Sequence, residues 1–291
     1  MRYHGMVIRP PSEANSYILQ VTYGCSHNHC TFCGTYLDKP FQARKTSEVL
    51  EDIQTAQTTI PGVRRVFLAD GDALVLSTRR LEQILDALRV GFPKLERVGM
   101  YAAAQNLLAK SVDELAQLHQ KGLGIVYLGL ESGSDEVLAR VEKGVGSAEM
   151  IAAIRKAKQA GLLVSVIGIL GIGGMEFSEE HAQQTGRVVN VMNPDYFSML
   201  TLMLVPGTPL YNQWQAGSFL LPNPSAMLME LHRVISQLDD LTQCVFRTNH
   251  ASNYLPLRGT LSQDKEHLLS VLDAALAQGE TALRPEAWRG L

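Results

Sequence analysis

Short apolar segments and longer helical patterns alternate along most of the 291 residues of this chain. Several of the apolar segments predict strands that are buried on both faces, because hydrophobic residues follow one another without a polar alternation. Strands that are separated by a helix pair in parallel, so the alternation predicts a parallel sheet covered by helices. The predicted strands are 17–23, 65–68, 97–101, 125–130, 163–170 and 197–205. The predicted helices between them are 47–58, 77–91, 111–121, 134–141, 147–160 and 178–192.

The alternation stops after residue 205, and a loop rich in proline and glycine follows. Helical patterns then occupy 225–241 and 263–279, and the polar segment 244–261 between them is expected to be irregular. We predict an α/β fold, a partial TIM-type (β/α)6 barrel with a helical C-terminal extension; a doubly wound open sheet is the alternative. The barrel core with its N-terminal arm is assigned to 1–210, and the cap that packs on it within the same domain to 211–291.

Composition limits the possible classes of protein. Hydrophobic residues make up 46% of the chain and charged residues 19%, which supports a large core and excludes a disordered protein. The net charge of −3 argues against a general nucleic-acid binder. The N-terminus lacks a signal-peptide core, and there is no apolar run of about 18 residues, so we expect a cytoplasmic protein without a membrane partner.

The four cysteines are distributed unevenly: Cys25, Cys30 and Cys33 lie within nine residues, and Cys244 is remote. The group of three directly follows the first predicted strand, at the sheet edge where α/β proteins build active sites. Crowded thiolates suit an iron–sulfur cluster or zinc. Zinc would need His27 or His29 as a fourth ligand. Three thiolates on a four-iron cluster instead leave one iron open for another ligand, and we favour this interpretation.

The segment Cys25-Ser-His-Asn-His-Cys30-Thr-Phe-Cys33 resembles the cluster motif of the radical S-adenosylmethionine (SAM) superfamily. The resemblance is strongest to the branch of oxygen-independent coproporphyrinogen oxidase and elongator-type enzymes. Phe32 matches the aromatic residue before the last cysteine, whereas the first gap has four residues instead of the usual three. The resemblance implies a 4Fe–4S cluster held by the three cysteines and bound SAM.

Further motifs follow the later strands in the order of that family. The turn 70–72 resembles the one that receives the SAM amino group, and 129–134 resembles the Gly-x-Glu-Ser-Gly-Ser signature. The stretches 168–176 and 204–210 resemble those that contact adenine. The resemblance therefore assigns SAM contacts to Phe32, Asp70, Gly71, Asp72, Glu131, Ser132, Arg140, Lys143, Ile169, Gly171 and Val205.

The implied activity is that of a radical SAM enzyme, an oxidoreductase or a transferase. Such an enzyme cleaves SAM reductively to a 5′-deoxyadenosyl radical, which takes hydrogen from a substrate that is unidentified here. An electron donor such as flavodoxin or ferredoxin would be its partner. One alternative is a non-catalytic protein on the same fold that binds a cluster or heme, and another is a zinc-stabilised α/β domain.

Outside these motifs, the polar segment 246–254 is the strongest candidate for substrate contacts. Its candidate residues are Asn249, His250, Asn253 and Tyr254. The alternative is an ordered loop whose side chains satisfy their own backbone. Cys244 is expected to be a buried small hydrophobic residue, with a hydrogen donor to a product radical as the alternative.

Overall fold

The computed structural model describes residues 1–60 and 62–290. The strands are β1 (Tyr17–Gln20), β2 (Thr22–Tyr23), β3 (Gln42–Ala43), β4 (Arg65–Ala69), β5 (Arg97–Tyr101), β6 (Leu123–Glu131), β7 (Leu163–Leu170), β8 (Tyr196–Thr201), β9 (Val245–Arg247) and β10 (Arg258–Thr260). The α-helices are α1 (Thr46–Thr59), α2 (Thr78–Gly91), α3 (Ala104–Ala109), α4 (Val112–Gln120), α5 (Asp135–Arg140), α6 (Ser147–Gln159), α7 (Gly174–Met192), α8 (Pro209–Gln215), α9 (Pro224–Ser236) and α10 (Leu261–Gln278).

The main sheet has eight strands in the order β1-β4-β5-β6-β7-β8-β9-β10. The pairs β1–β4, β4–β5, β5–β6, β7–β8 and β8–β9 are parallel, and β10 is antiparallel to β9. This mostly parallel sheet confirms the predicted α/β class. The predicted first strand is divided, because 17–20 joins the main sheet while 22–23 pairs with 42–43.

Two segments beyond residue 205 differ from the prediction. The segment 244–261 was expected to be irregular, yet β9 and β10 each form three-residue strands there. Strands this short carry no periodic pattern, and only Phe246 in them is buried. The loop after residue 205 contains α8, which begins at Pro209 and is capped by Thr208, whose side chain accepts a hydrogen bond from the Tyr211 amide.

The chain forms two compact units. The first comprises Met1–Asn28, Thr35–Leu128 and Ala152–Val164, and the second comprises His29–Gly34, Gly129–Ile151 and Ser165–Leu291. In the first unit, the apolar side chains of β4 and of one face of α2 are fully buried. In the second, α9 packs against both α7 and α10, and Phe197 of β8 contacts Phe246 of β9 with ring centroids 5.8 Å apart.

Membrane insertion was assessed from helix length and hydropathy. Among the helices of residues 1–60 and 62–290, none is both long and apolar enough to span a bilayer.

Candidate active site

Cys25, Cys30 and Cys33 lie on one loop, which we call the cysteine loop. The turn that begins this loop lies in the first unit. Gly24 adopts φ +69°, and a Cβ there would lie 2.4 Å from the Lys39 carbonyl oxygen, so the turn requires glycine. The Gly71 amide donates to the Gly24 carbonyl (3.1 Å), and Ser26 Oγ donates to Asp72 Oδ2 (2.5 Å). These bonds fix the approach to Cys25 against the turn that follows β4.

The remainder of the cysteine loop lies in the second unit. The Thr31 amide donates to the Val141 carbonyl (3.0 Å), and the Thr31 carbonyl accepts from the Leu210 amide (2.9 Å). A Cβ at Gly34 would lie 2.4 Å from Val205 Cγ1, so glycine is needed for this close approach. Phe32 packs, together with Ile169, on a buried apolar cluster formed by Val137, Val141, Ile172, Leu202 and Leu210.

Sulfur is the donor that this loop supplies. Cys25, Cys30 and Cys33 are each half-buried, and the Cys33 amide donates to the Cys30 carbonyl (3.1 Å). In the part of the chain that the structure describes, no three His, Cys, Asp or Glu side chains converge on one point that could hold a single metal ion. A 4Fe–4S cluster takes thiolates on separate irons and does not require such convergence. The donor set therefore fits an iron–sulfur cluster.

Asp70 follows β4 and is fully buried. Its Oδ2 accepts hydrogen bonds from Lys39 Nζ (2.9 Å), Gln20 Nε2 (2.9 Å) and the Gly24 amide (3.3 Å). Its Oδ1 is also buried but has no hydrogen-bond partner within the described residues. A buried carboxylate oxygen without a donor is costly, and an ammonium group of a ligand would satisfy it.

Asp72 ties several loop segments together. Its buried carboxylate accepts from Ser26, from the Asn106 side chain and from the Ala103 amide (3.1 Å). Burial raises the pKa of this carboxyl, and the three hydrogen bonds oppose the rise. Between the two aspartates, a Cβ at Gly71 would lie 2.6 Å from the Tyr36 ring, so a side chain would not fit.

The turn after β6 carries Glu131 and Ser132 in the second unit. Glu131 adopts φ +61°, and its Oε1 lies 2.7 Å from Lys143 Nζ. The ammonium of Lys143 and this carboxylate form an ion pair. The structure thus brings together two of the residues that were predicted to contact SAM.

Arg140 and Val205 were also predicted to contact SAM, and both make contacts within the protein. Arg140 is half exposed, pairs with Glu136 (2.9 Å) and Glu176 (3.1 Å), and lies 4.1 Å from the centroid of the Phe177 ring. The Val205 carbonyl accepts from the amide (3.2 Å) and the hydroxyl (2.7 Å) of Thr208, within the turn that starts α8.

The buried polar residues that the sequence analysis did not single out include His181 on α7 and Glu230 on α9. His181 Nδ1 lies 2.8 Å from Ser132 Oγ, and His181 Nε2 lies 3.4 Å from Glu230 Oε1. Glu230 also accepts from the Gly171 amide (2.6 Å). The available signal was Glu230 itself, because it occupies the apolar face of α9 where a charged residue needs partners.

This pair predicts a pH-dependent stability. Burial lowers the pKa of His181 to about 4 and raises the pKa of Glu230 to about 7. The stability from His181 is complete above its unfolded pKa of about 6.5 and is lost as the pH falls towards 4. The stability from Glu230 is complete below its unfolded pKa of about 4.5 and is lost as the pH rises towards 7. The two residues therefore change the free energy of unfolding in opposite directions as the pH rises.

Glu230→Gln removes the contribution of Glu230 and leaves that of His181. We therefore expect it to change how the free energy of unfolding depends on pH. Between pH of about 4.5 and 6.5, the free energy of unfolding should rise more steeply with pH in the variant than in the wild type. Denaturant unfolding measured at several pH values checks this. An equal or shallower rise in the variant would show that Glu230 does not titrate in this window.

The candidate substrate segment is tied to the second unit. Asn253 Oδ1 accepts from Thr201 Oγ1 (2.8 Å), and its Nδ2 donates to the Met199 carbonyl (3.0 Å). Tyr254 donates to Glu286 Oε2 (2.6 Å), and the Arg289 guanidinium lies 4.1 Å from its ring centroid. The polar atoms of Asn253 and Tyr254 are thus bound within the protein.

The other residues of this region are more accessible, except for the cysteine. Asn249 is exposed. His250 Nδ1 lies 2.9 Å from Ser252 Oγ, and burial lowers the pKa of His250. Cys244 is fully buried just before β9. A role for any of these residues towards substrate stays a prediction.

Comparison with known proteins assigns the family. The model of the Radical SAM superfamily matches residues 19–184, which is more than half of the chain. The chain therefore belongs to the radical SAM superfamily, as its motifs predicted. Members of this superfamily are enzymes that use a 4Fe–4S cluster and SAM, and the predicted cofactors are confirmed accordingly.

Curated relatives are distant and longer. An uncharacterized methyltransferase of Pyrococcus horikoshii is 25% identical over 207 residues, covering 70% of this chain and 43% of the relative. The heme chaperone HemW of Bacillus subtilis is 20% identical over 216 residues, covering 72% of this chain and 56% of the relative. The chain thus spans about half the length of these relatives.

Solved structures support the fold. Coproporphyrinogen III oxidase (HemN) of Escherichia coli superposes with a TM-score of 0.61 at 18% identity, covering 77% of this chain and 52% of that one. Methylornithine synthase (PylB) superposes with a TM-score of 0.52 at 17% identity, covering 92% and 85%. These similarities confirm the predicted partial-barrel fold class.

Proposed function

We propose that this protein cleaves SAM reductively at a 4Fe–4S cluster held by Cys25, Cys30 and Cys33, and that the reaction removes hydrogen from a substrate. The observation that carries the proposal is the buried Asp70 Oδ1, which lacks a donor among residues 1–60 and 62–290. The same carboxylate accepts from Gly24, the residue before Cys25. A group that binds at the cysteine loop and carries an ammonium, as SAM does, suits this arrangement.

The residues of the chain have distinct parts in this proposal. Asp70 accepts a hydrogen bond from the amino group of SAM, and Lys39 holds the Asp70 carboxylate in place through an ion pair. The paired Glu131 and Lys143 offer one acceptor and one donor to the hydroxyl and carboxylate groups of SAM. Phe32, Ile169 and Gly171 provide an apolar surface and close backbone for adenine, and exclude water. When reduced, the cluster supplies the electron for cleavage of the sulfonium.

The reaction class, the electron donor, the location and the substrate contacts belong to the same proposal. The reaction is that of an oxidoreductase or a transferase whose substrate is unidentified. The electron comes from a small protein donor such as flavodoxin or ferredoxin, and the enzyme works in the cytoplasm. Asn249 and His250 are the more accessible members of the candidate substrate segment.

A non-catalytic role is the second candidate, because HemW, a heme chaperone, is among the relatives. Cleavage of SAM distinguishes the two candidates. Protein purified without oxygen, and counted for iron, sulfide and zinc, is incubated with SAM and dithionite. We expect iron with sulfide and formation of 5′-deoxyadenosine. Zinc without sulfide would contradict the cluster, and an intact cluster without product would favour the non-catalytic role.

A further inference from the structure

A buried carboxylate from the C-terminal part of the chain touches the backbone of a predicted SAM motif. Glu230 of α9 is fully buried, and it lies outside the residues that match the superfamily. Its Oε1 accepts from the Gly171 amide (2.6 Å), and its Oε2 accepts from Ser178 Oγ (2.6 Å). Gly171 adopts φ +79°, and a Cβ there would lie 2.8 Å from Met227 Cε of the same helix. Glu230 thus holds the turn after β7 close against α9.

The same carboxylate lies beside a histidine that contacts a second motif. His181 Nδ1 lies 2.8 Å from Ser132 Oγ, which also accepts from the Ser134 amide (3.0 Å). His181 Nε2 lies 3.4 Å from Glu230 Oε1, and it has no hydrogen-bond partner among the described residues. Glu230 therefore orders the turn after β7 by hydrogen bonds, whereas it only packs against the histidine beside the turn after β6.

Burial of this network has a cost that apolar residues would avoid. A carboxylate removed from water is stabilised only by the donors that surround it, and an apolar side chain of similar size would pack at the same position without that requirement. What apolar packing cannot do is fix the direction of the Gly171 amide, since this requires a directional acceptor.

We propose that Glu230 is a positioning residue for SAM, which orients the Gly171 turn. This inference rests on the proposed function, because it takes this turn as a SAM-binding element. Glu230 acts on the affinity for SAM without touching it. The part of the chain beyond residue 184 thus contributes to the cofactor site by holding the Gly171 turn in place.

Equilibrium binding of SAM to the iron- and sulfide-replete protein, without reductant, tests the inference. Glu230→Ala leaves the Gly171 amide and the Ser178 hydroxyl without their acceptor, so we expect the Kd for SAM to rise at least about tenfold. Glu230→Gln keeps an acceptor for Gly171 and should stay within about threefold of the wild type. Hydrogen exchange at the Gly171 amide should become faster in the alanine variant and remain protected in the glutamine variant.

Glu13→Ala provides the matched control for Glu230→Ala. Glu13 is an equally buried carboxylate in the first unit, where it accepts from Arg97 (2.6 Å), Tyr127 and Ser16. Its variant should bind SAM as the wild type does. If Glu230→Ala does not fold, Glu230→Asp, which shortens the side chain by one methylene, replaces it and should also weaken binding. An unchanged Kd in Glu230→Ala, or in the Glu230→Asp variant that replaces it, or an equal loss of affinity in Glu13→Ala, would overturn the inference. A wild type that fails to bind SAM would instead overturn the proposed function.

Discussion

Alanine at Cys25, Cys30 or Cys33 should abolish both the cluster and SAM cleavage. The three thiolates are the cluster ligands of the proposal, and a cluster left with two protein ligands should not survive purification. Iron and sulfide should fall from about four each per chain to near zero, and 5′-deoxyadenosine to the level without protein. Chemical iron and sulfide determination with quantification of 5′-deoxyadenosine measures both effects.

Cys244→Ala is the control for these substitutions. Cys244 is fully buried, so its replacement removes one sulfur from the core and should cost about 1 kcal/mol of stability. Its iron content should equal that of the wild type. Loss of the cluster in Cys244→Ala, or its retention after loss of Cys25, would show that the ligand assignment is wrong.

Substitution of Asp70 by asparagine should affect both stability and SAM binding. The Asp70 carboxylate is fully buried and lies 2.9 Å from the ammonium of Lys39, whose side chain is 8% exposed. Removal of one partner of a buried ion pair leaves an uncompensated charge and costs about 3–5 kcal/mol. We expect Asp70→Asn to lower the free energy of unfolding by an amount in this range, as measured by denaturant unfolding, and to weaken SAM binding.

The double variant Lys39→Met with Asp70→Asn separates the two effects. Without the ammonium there is no uncompensated charge, so a large part of the lost stability should return. The affinity for SAM should remain low, because the carboxylate that accepts the amino group is still missing. Recovery of SAM affinity in the double variant would show that Asp70 acts only through the fold.

The fold was predictable where burial produces a pattern. Strands β5 and β7 lie where they were predicted, because a strand covered on both faces needs a mostly apolar run. Strands β9 and β10 were missed, since each has three residues and is specified by pairing with its neighbours. Their pairing depends on contacts between distant segments, which no local pattern records.

For the candidate site, the positions of motif residues could be predicted from the sequence, but their partners could not. Several of its motif residues could be located because they lie at or just after the end of a strand, as Asp70, Glu131 and Ile169 do. The partners of the motif residues could not be located. Lys39 and His181 reach Asp70 and Ser132 from 31 and 49 residues away, through the packing of whole elements. Long-range polar partners are specified by the fold, and a motif therefore predicts a position better than the environment around it.

The central claim is that the three cysteines support reductive cleavage of SAM. The most direct test is an anaerobic incubation of the cluster-replete protein with SAM and dithionite, in which methionine and 5′-deoxyadenosine are both quantified by mass spectrometry. We expect the two products in equal amounts from the wild type and from Cys244→Ala, and neither above background from Cys30→Ala. Absence of both products from wild-type protein that holds an intact cluster, or equal amounts from Cys30→Ala, would contradict the claim.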